Sequence, residues 1–248
     1  MKWIKRLLIL LAILVGIGVI GYFATNEALP QGKEGPAADA LAQKMLNAIN
    51  QEAWDTTAVV QWTFKGMHDF VWDKNRHFCQ IKWKNKEVLL DINKLKGRAW
   101  EDQVELQGEV AQQTVLEAWE YWCNDSFWLN APSKAFDPGT SRAIVTNADG
   151  RQDLLISYTS GGVTPGDAYL WILNDEGLPT SWKMWVKIIP VGGLAFTWDQ
   201  WKTTETGAKI ASFHESAILN LDISNLKTAP DWKSFGASND PFQAILEL

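Results

Sequence analysis

From residue 58 to residue 92, apolar and polar side chains alternate through several short runs in succession, the period-2 signature of half-buried strands. Val60, Trp62 and Phe64 fall on one face of the first run, and Gln61, Thr63 and Lys65 on the other. After a turn at Lys65-Gly66, the runs 67–73 and 76–84 flank Lys74-Asn75 and predict a hairpin closed by a two-residue loop. That register sets Trp72 opposite His77, Phe70 opposite Cys79 and His68 opposite Ile81, and it gathers His68, Phe70, Trp72, His77, Cys79, Ile81 and Trp83 on one face. A fourth run, 87–93, turns Val88, Leu90 and Ile92 the same way. Four strands then share one aromatic-lined surface, and such a surface needs a cover.

Two segments carry helical periodicity instead. Between residues 37 and 53, Leu41, Met45, Ala48, Ile49 and Ala53 recur at helical spacing, so a first helix can lie against the strands. A second helix is predicted over 109–128, with Leu116, Trp119, Cys123 and Phe127 as its stripe, widened by Val115 and Trp122, while Glu117, Glu120, Asn124 and Asp125 face away. Residues 130–140, with Pro132 and Pro138, make a loop or lid. Strand patterns return at 142–146, 152–159, 168–173, 180–189, 194–203 and 208–223, the last long enough for one bent strand or two. Run 168–173 is apolar on both faces, and Trp185 interrupts an otherwise polar face. The tail to Leu248 is expected to pack loosely.

About ten strands joined by short turns, with one helix before them and one inserted, predict a mainly β (α+β) domain over 37–248. A long antiparallel meander must curl, so the expected architecture is a half-open barrel whose concave face the two helices cover or plug.

Composition sharpens this in one respect. Fifteen tryptophans in 248 residues are the one outlier. Trp joins a broad apolar body to a single N–H donor, so these rings fit either a thick aromatic core or a ligand cavity. Charge narrows the partners. Taking Lys2, Lys5 and Arg6 from the 23 basic residues leaves 20 against 29 acidic ones, a balance of −9. Nucleic acid is excluded for want of a basic stripe, and docking of the domain onto anionic lipid is disfavoured.

The three basic residues precede 7–24, eighteen residues without a charge. A helix of that length spans roughly 27 Å, about one hydrocarbon core, with the basic flank staying in the cytoplasm. The expected location is the inner membrane of a cell envelope, single-pass, with the domain on the periplasmic side. Tyr22 and Phe23 crowd the point where a signal peptidase would cut, so segment 1–24 reads as an uncleaved anchor, with secretion to the periplasm after cleavage as the alternative. Residues 25–36, with Pro30, Gly32, Gly35 and Pro36, read as a polar linker.

This order of signal segment, helix, four meandering strands, central helix, loop and further strands resembles the Lol lipoprotein-carrier family and its LolA/LolB-like relatives. The resemblance covers most of 37–224 and rests on that architecture, on the strand holding Trp62, and on the turn Asn174-Asp175-Glu176-Gly177-Leu178-Pro179. It implies an unclosed antiparallel barrel lidded by helices, with acyl chains or lipids held inside, and it transfers no individual functional residue.

Chemistry adds little. His77-x-Cys79 beside His68 has soft-ligand types but no closed metal-site spacing, so neither metal nor cofactor is expected. His214-Glu215-Ser216 lies in a strand, where neighbours point to opposite faces, and no nucleophile–base set emerges; no catalytic residue is assigned. Cys79 and Cys123, both expected to face inward, are either a disulfide joining helix to sheet or two free thiols. The expected function is a non-catalytic envelope protein binding lipid or acylated cargo in a cavity lined by Trp62, Phe70, Trp72, Trp83, Trp119, Trp122, Trp182 and Trp198. A carbohydrate-binding module using Trp185 and Trp201, or a structural module with a dry core, are the alternatives. Protein partners are not specified.

Overall fold

The computed structural model describes Trp3, residues 26–160 and residues 166–248. The anchor expected at 7–24 lies outside the described residues. No helix among the described residues is long and apolar enough to cross a membrane.

The chain opens with β1 (Lys33–Glu34), α1 (Pro36–Ala48) and α2 (Gln51–Thr56). It continues through β2 (Val59–Phe64), β3 (His68–Asp73), β4 (Phe78–Trp83), β5 (Lys86–Asp91), β6 (Lys96–Glu101) and β7 (Val104–Glu105) to α3 (Gly108–Asn130). The second half holds β8 (Thr140–Thr146), β9 (Gln152–Tyr158), β10 (Ala168–Leu173), β11 (Pro179–Trp185), β12 (Leu194–Thr197), β13 (Asp199–Thr203), β14 (Lys209–Glu215), β15 (Asn220–Ala229) and α4 (Trp232–Phe235). The fold is mainly β, with two antiparallel sheets in the orders β1-β8-β9-β10-β11-β12 and β13-β14-β15-β2-β3-β4-β5-β6-β7, and the described strands close no barrel.

The sheets are joined through one extended run. Its first half, β12, pairs with β11 and its second half, β13, with β14, the change falling at Trp198. Thr197 bridges the change: its carbonyl faces His214 Nδ1 at 3.1 Å and its hydroxyl accepts from the Glu215 amide. Neighbouring strands therefore keep antiparallel order from β8 around to β7, and the meander curls about one main core.

Five expectations need correction. In the β3–β4 hairpin the partners are Trp72 with Cys79, Phe70 with Ile81 and His68 with Trp83. The loop is 74–77, four residues long, and His77 lies in it, exposed and at positive φ, instead of on the aromatic face. The cause is Asp73, whose carboxylate accepts from the Arg76 amide and guanidinium and so builds a wider turn. A slip of two residues preserves the pleat, so Phe70, Trp72, Cys79, Ile81 and Trp83 still face inward. The first helix divides into α1 and α2, because Asn50 takes a left-handed conformation at φ 58°.

On α3, Asp125 faces the core, where His68 meets it, and Leu116 faces solvent. The expected linker 25–36 is, from Asn26 on, strapped to the sheet: Glu27 bonds Gly192 and Trp185 at one end and β1 pairs with β8 at the other. The tail does not pack loosely either. Phe242 and Ile245 are buried with Leu89 on the convex face, beside Phe78 and Trp100, and Arg76 forks onto Asp240 at 2.6 and 2.9 Å. That pair is about one-third exposed on both sides. Asp240→Ala is therefore expected to cost only about 1 kcal/mol in urea unfolding. A loss several times larger would mean that the tail is held by this pair and not by Phe242.

Candidate functional site

The candidate site is the interior between the curled strands and α3. The alternation read from the sequence places the strand rings there: Trp62, Phe70, Trp72, Trp83, Trp182 and Trp198 are all buried in the main core. Trp119 and Trp122 are half-buried, on the flank of α3 where helix meets sheet.

The rings form two groups. In the first, Phe70 stacks on Trp62 at 4.4 Å, Trp72 stands edge-on to Trp62 at 6.5 Å, and Trp122 reaches Trp72 from α3 at 5.5 Å. In the second, Trp182 is the hub, within 6 Å of Phe127, Trp128, Tyr169, Trp171 and Trp198. Trp128, Trp171, Tyr169 and His214 were not in the expected set. Trp171 lies in a run apolar on both faces, where alternation carries no signal. Trp128 sits at the expected end of its helix, which in fact continues to Asn130.

The rings meet, and they largely fill the space. A cavity of about 10 Å³ remains among Ile49, Trp54, Leu129, Asn130 and Trp201. That is room for a single water beside Asn130 Oδ1, which has no donor within the protein. A ligand pocket usually needs roughly 300–1,000 Å³.

The packing leaves polar atoms unpaired. The indole N–H groups of Trp62, Trp72, Trp122, Trp171, Trp182 and Trp198 and the hydroxyl of Tyr158 are buried without a partner in the protein. Each such donor costs roughly 1–3 kcal/mol. From α3 into the aromatic interior, Asp125 Oδ2 lies 2.7 Å from His68 Nδ1, with Tyr121 stacked on the imidazole at 4.0 Å. Nearer the edge, Lys86 and the Tyr121 hydroxyl both reach Glu117.

Titration reinforces the apolar character. Burial pushes the Cys79 thiol well up and raises that of Cys123 to about 12, so neither is a thiolate near neutrality. Both cysteines are free, the second of the two alternatives: Cys79 is fully buried on β4, whereas Cys123 lies on the half-buried flank of α3. Burial lowers the Lys74 ammonium to about 8, with Asp55 opposing, as it lies 4.0 Å over the Trp54 ring and donates to the Trp54 carbonyl. His77 stands apart from His68 and Cys79, and no metal-binding group of three or more His, Cys, Asp or Glu occurs among the described residues. His214 points inward while Glu215 is exposed, as strand alternation requires.

Trp185 and Trp201, the rings considered for a sugar platform, are both engaged. Trp185 donates to the Glu27 carbonyl at 2.8 Å, and Trp201 to the Pro179 and Trp198 carbonyls at 3.0 Å. Each is half-buried, and neither has a free donor.

No family model matches the chain, and no curated protein is detectably similar to it. Among solved structures, the chain is similar to a DUF1329 family protein from Desulfovibrio piger, at 11% identity over 77% of this chain and 92% of that one, with a TM-score of 0.39.

Proposed function

We propose that the chain is a non-catalytic, membrane-anchored binding protein on the periplasmic side of a cell envelope, a half-open barrel in the manner of the Lol carriers. It takes up lipid or acylated cargo between its sheets and α3, and this is its closed form. The observation that carries the reading is the underside of α3. A helix built to stay in a core buries Leu, Ile and Val; α3 buries Thr114, Asp125, Ser126 and Asn130 alongside Val115, Ala118, Trp128 and Leu129. Its seat on the tryptophan-lined strands is thus partly polar, and lifting it exposes apolar surface together with indole donors that have no partner while it is shut. A cargo with an acyl chain and an ester or amide carbonyl satisfies both features.

The near-complete filling of the interior favours a second reading, a structural envelope module with a dry core. Uptake decides between them. Full-length protein, delipidated in detergent and mixed with a fluorescent fatty acid, is expected to bind it saturably, and lipid is expected to co-purify with untreated protein by mass spectrometry. Absence of both leaves the structural module.

A further inference from the structure

The antiparallel order sorts the fully described hairpin tips of the meander to two rims. One rim holds the tips 65–67, 84–85, 102–103, 186–193 and 216–219, because β2, β4, β6, β11 and β14 all end there. The other holds 74–77, 92–95, 147–151, 174–178 and 204–208. The two rims differ in chemistry. The second is built largely from Asn, Asp, Glu, Lys, Arg, Thr and Gly; among its tips the exposed large apolar side chain is Leu95, and the C-terminal Leu248 lies by the same tip, its carbonyl accepting from Lys94. The first exposes Ile188 and Ile218, each at 72%, Met67 at 57%, and Leu219, with Phe136 beside it in the turn leading into β8. Hairpin tips ordinarily carry turn-forming polar residues, as 84–85 and 102–103 do here, so the outward apolar side chains on the other three tips of this rim need a partner.

The N-terminus says which partner. Asn26 and Glu27 are fastened to tip 186–193: the Gly192 amide donates to Asn26 Oδ1 at 2.8 Å, the Glu27 amide to the Gly192 carbonyl at 2.9 Å, and Lys183 to the Glu27 carboxylate at 2.6 Å. A side chain at Gly192 would strike Trp185 and the Glu27 carbonyl, its Cβ 2.5 and 2.6 Å from them, so the glycine permits this seat. The charge-free run 7–24 ends two residues before Asn26, and two extended residues reach at most about 7 Å. Whatever that run enters must lie against this rim.

We propose that the rim carrying Ile188, Ile218, Leu219 and Met67 rests on the bilayer that holds the N-terminal segment, with these side chains dipping into the acyl region while the polar rim points away. The contact is apolar, since the acidic balance beyond the N-terminus gives the domain no general attraction to anionic headgroups. The inference rests on the anchored reading above and adds to it an orientation and a lipid-contacting surface.

The test uses full-length protein in phosphatidylcholine vesicles. Single probe sites are made by Ile188→Cys, Ile218→Cys and, on the polar rim, Asn75→Cys, each in a Cys123→Ser background, and labelled with an environment-sensitive fluorophore. Labels at 188 and 218 are expected to shift to the blue and to lose most of their emission to nitroxide attached to the acyl chains, in low and high salt alike; the label at 75 is expected to do neither. Flotation with the vesicles is measured in parallel. Protein that does not float refutes the anchor and the orientation together. Protein that floats with label 218 in water, or with label 75 quenched, overturns the orientation and leaves the anchor standing.

Discussion

Trp182→Ala is expected to cost about 4 kcal/mol of unfolding free energy, among the largest effects of any single truncation in this chain. The ring is fully buried and is the hub of the second aromatic group, with Tyr169, Trp171 and Trp128 centred 4.6 to 4.9 Å away. Removing it leaves a hole bordered by large, flat side chains that cannot collapse inward without leaving their rotamers. Trp182→Phe separates ring from donor. It gives up part of the buried area but also deletes an indole N–H that has no partner in the protein, and these terms oppose, so a net loss under about 1 kcal/mol is expected. Urea midpoints of the two variants at neutral pH provide the comparison. If Phe costs as much as Ala, the N–H is paired in solution and the argument from unpaired donors, on which the lid reading of α3 leans, loses its support.

What could be read in the sequence was whatever alternation controls. Inward-facing Trp62, Phe70, Trp72, Trp83, Trp182 and Trp198 follow from a period of two, which survives even the wrong hairpin register at 74–77, because a slip of two residues keeps every side chain on its face. Illegible were the contacts between segments distant in the chain. Nothing local to Asp125 says that it pairs with His68, 57 residues earlier, so its charge placed it on the solvent face. Residues 26–34 and 240–245 have the composition of a linker and a loose tail, yet the first is fastened to tip 186–193 and to the edge strand β8, and the second packs on the convex face. Their signal was present on the receiving side: Trp185, Leu89 and Trp100 sit at positions where alternation calls for polar residues, and each marks where a strap or the tail covers the sheet. An apolar residue on the outer face of a strand was thus evidence for a missing layer, and Trp185 in particular was a docking point before it was a sugar platform.

His214 joins the aromatic interior to pH. The imidazole is fully buried between Trp198 at 4.4 Å and Trp128 at 5.3 Å, with Nδ1 turned to the Thr197 carbonyl. Burial lowers its pKa from the ordinary 6.5 to about 4, against the opposing pull of the Thr197 and Trp128 carbonyls and of Asp199. Between those values the unfolded chain binds a proton that the folded chain refuses. The contribution of this site is therefore complete above pH 6.5 and is lost as pH falls from there toward 4, where it approaches about 3 kcal/mol. Because β14 and the run through Trp198 meet at this residue, the loss falls on the junction of the two sheets. His214→Asn keeps a side-chain amide in reach of the Thr197 carbonyl and cannot titrate. It starts from a lower stability at pH 7.5, since the stacking ring is gone, but its decline between pH 6.5 and 4.5 should be shallower than that of the native chain by most of this amount. The difference of slopes isolates the site, because every other ionisable group is common to both proteins. Parallel curves from urea unfolding across that range would mean that the imidazole accepts its proton in the folded state, which requires water to enter between the sheets at Trp198.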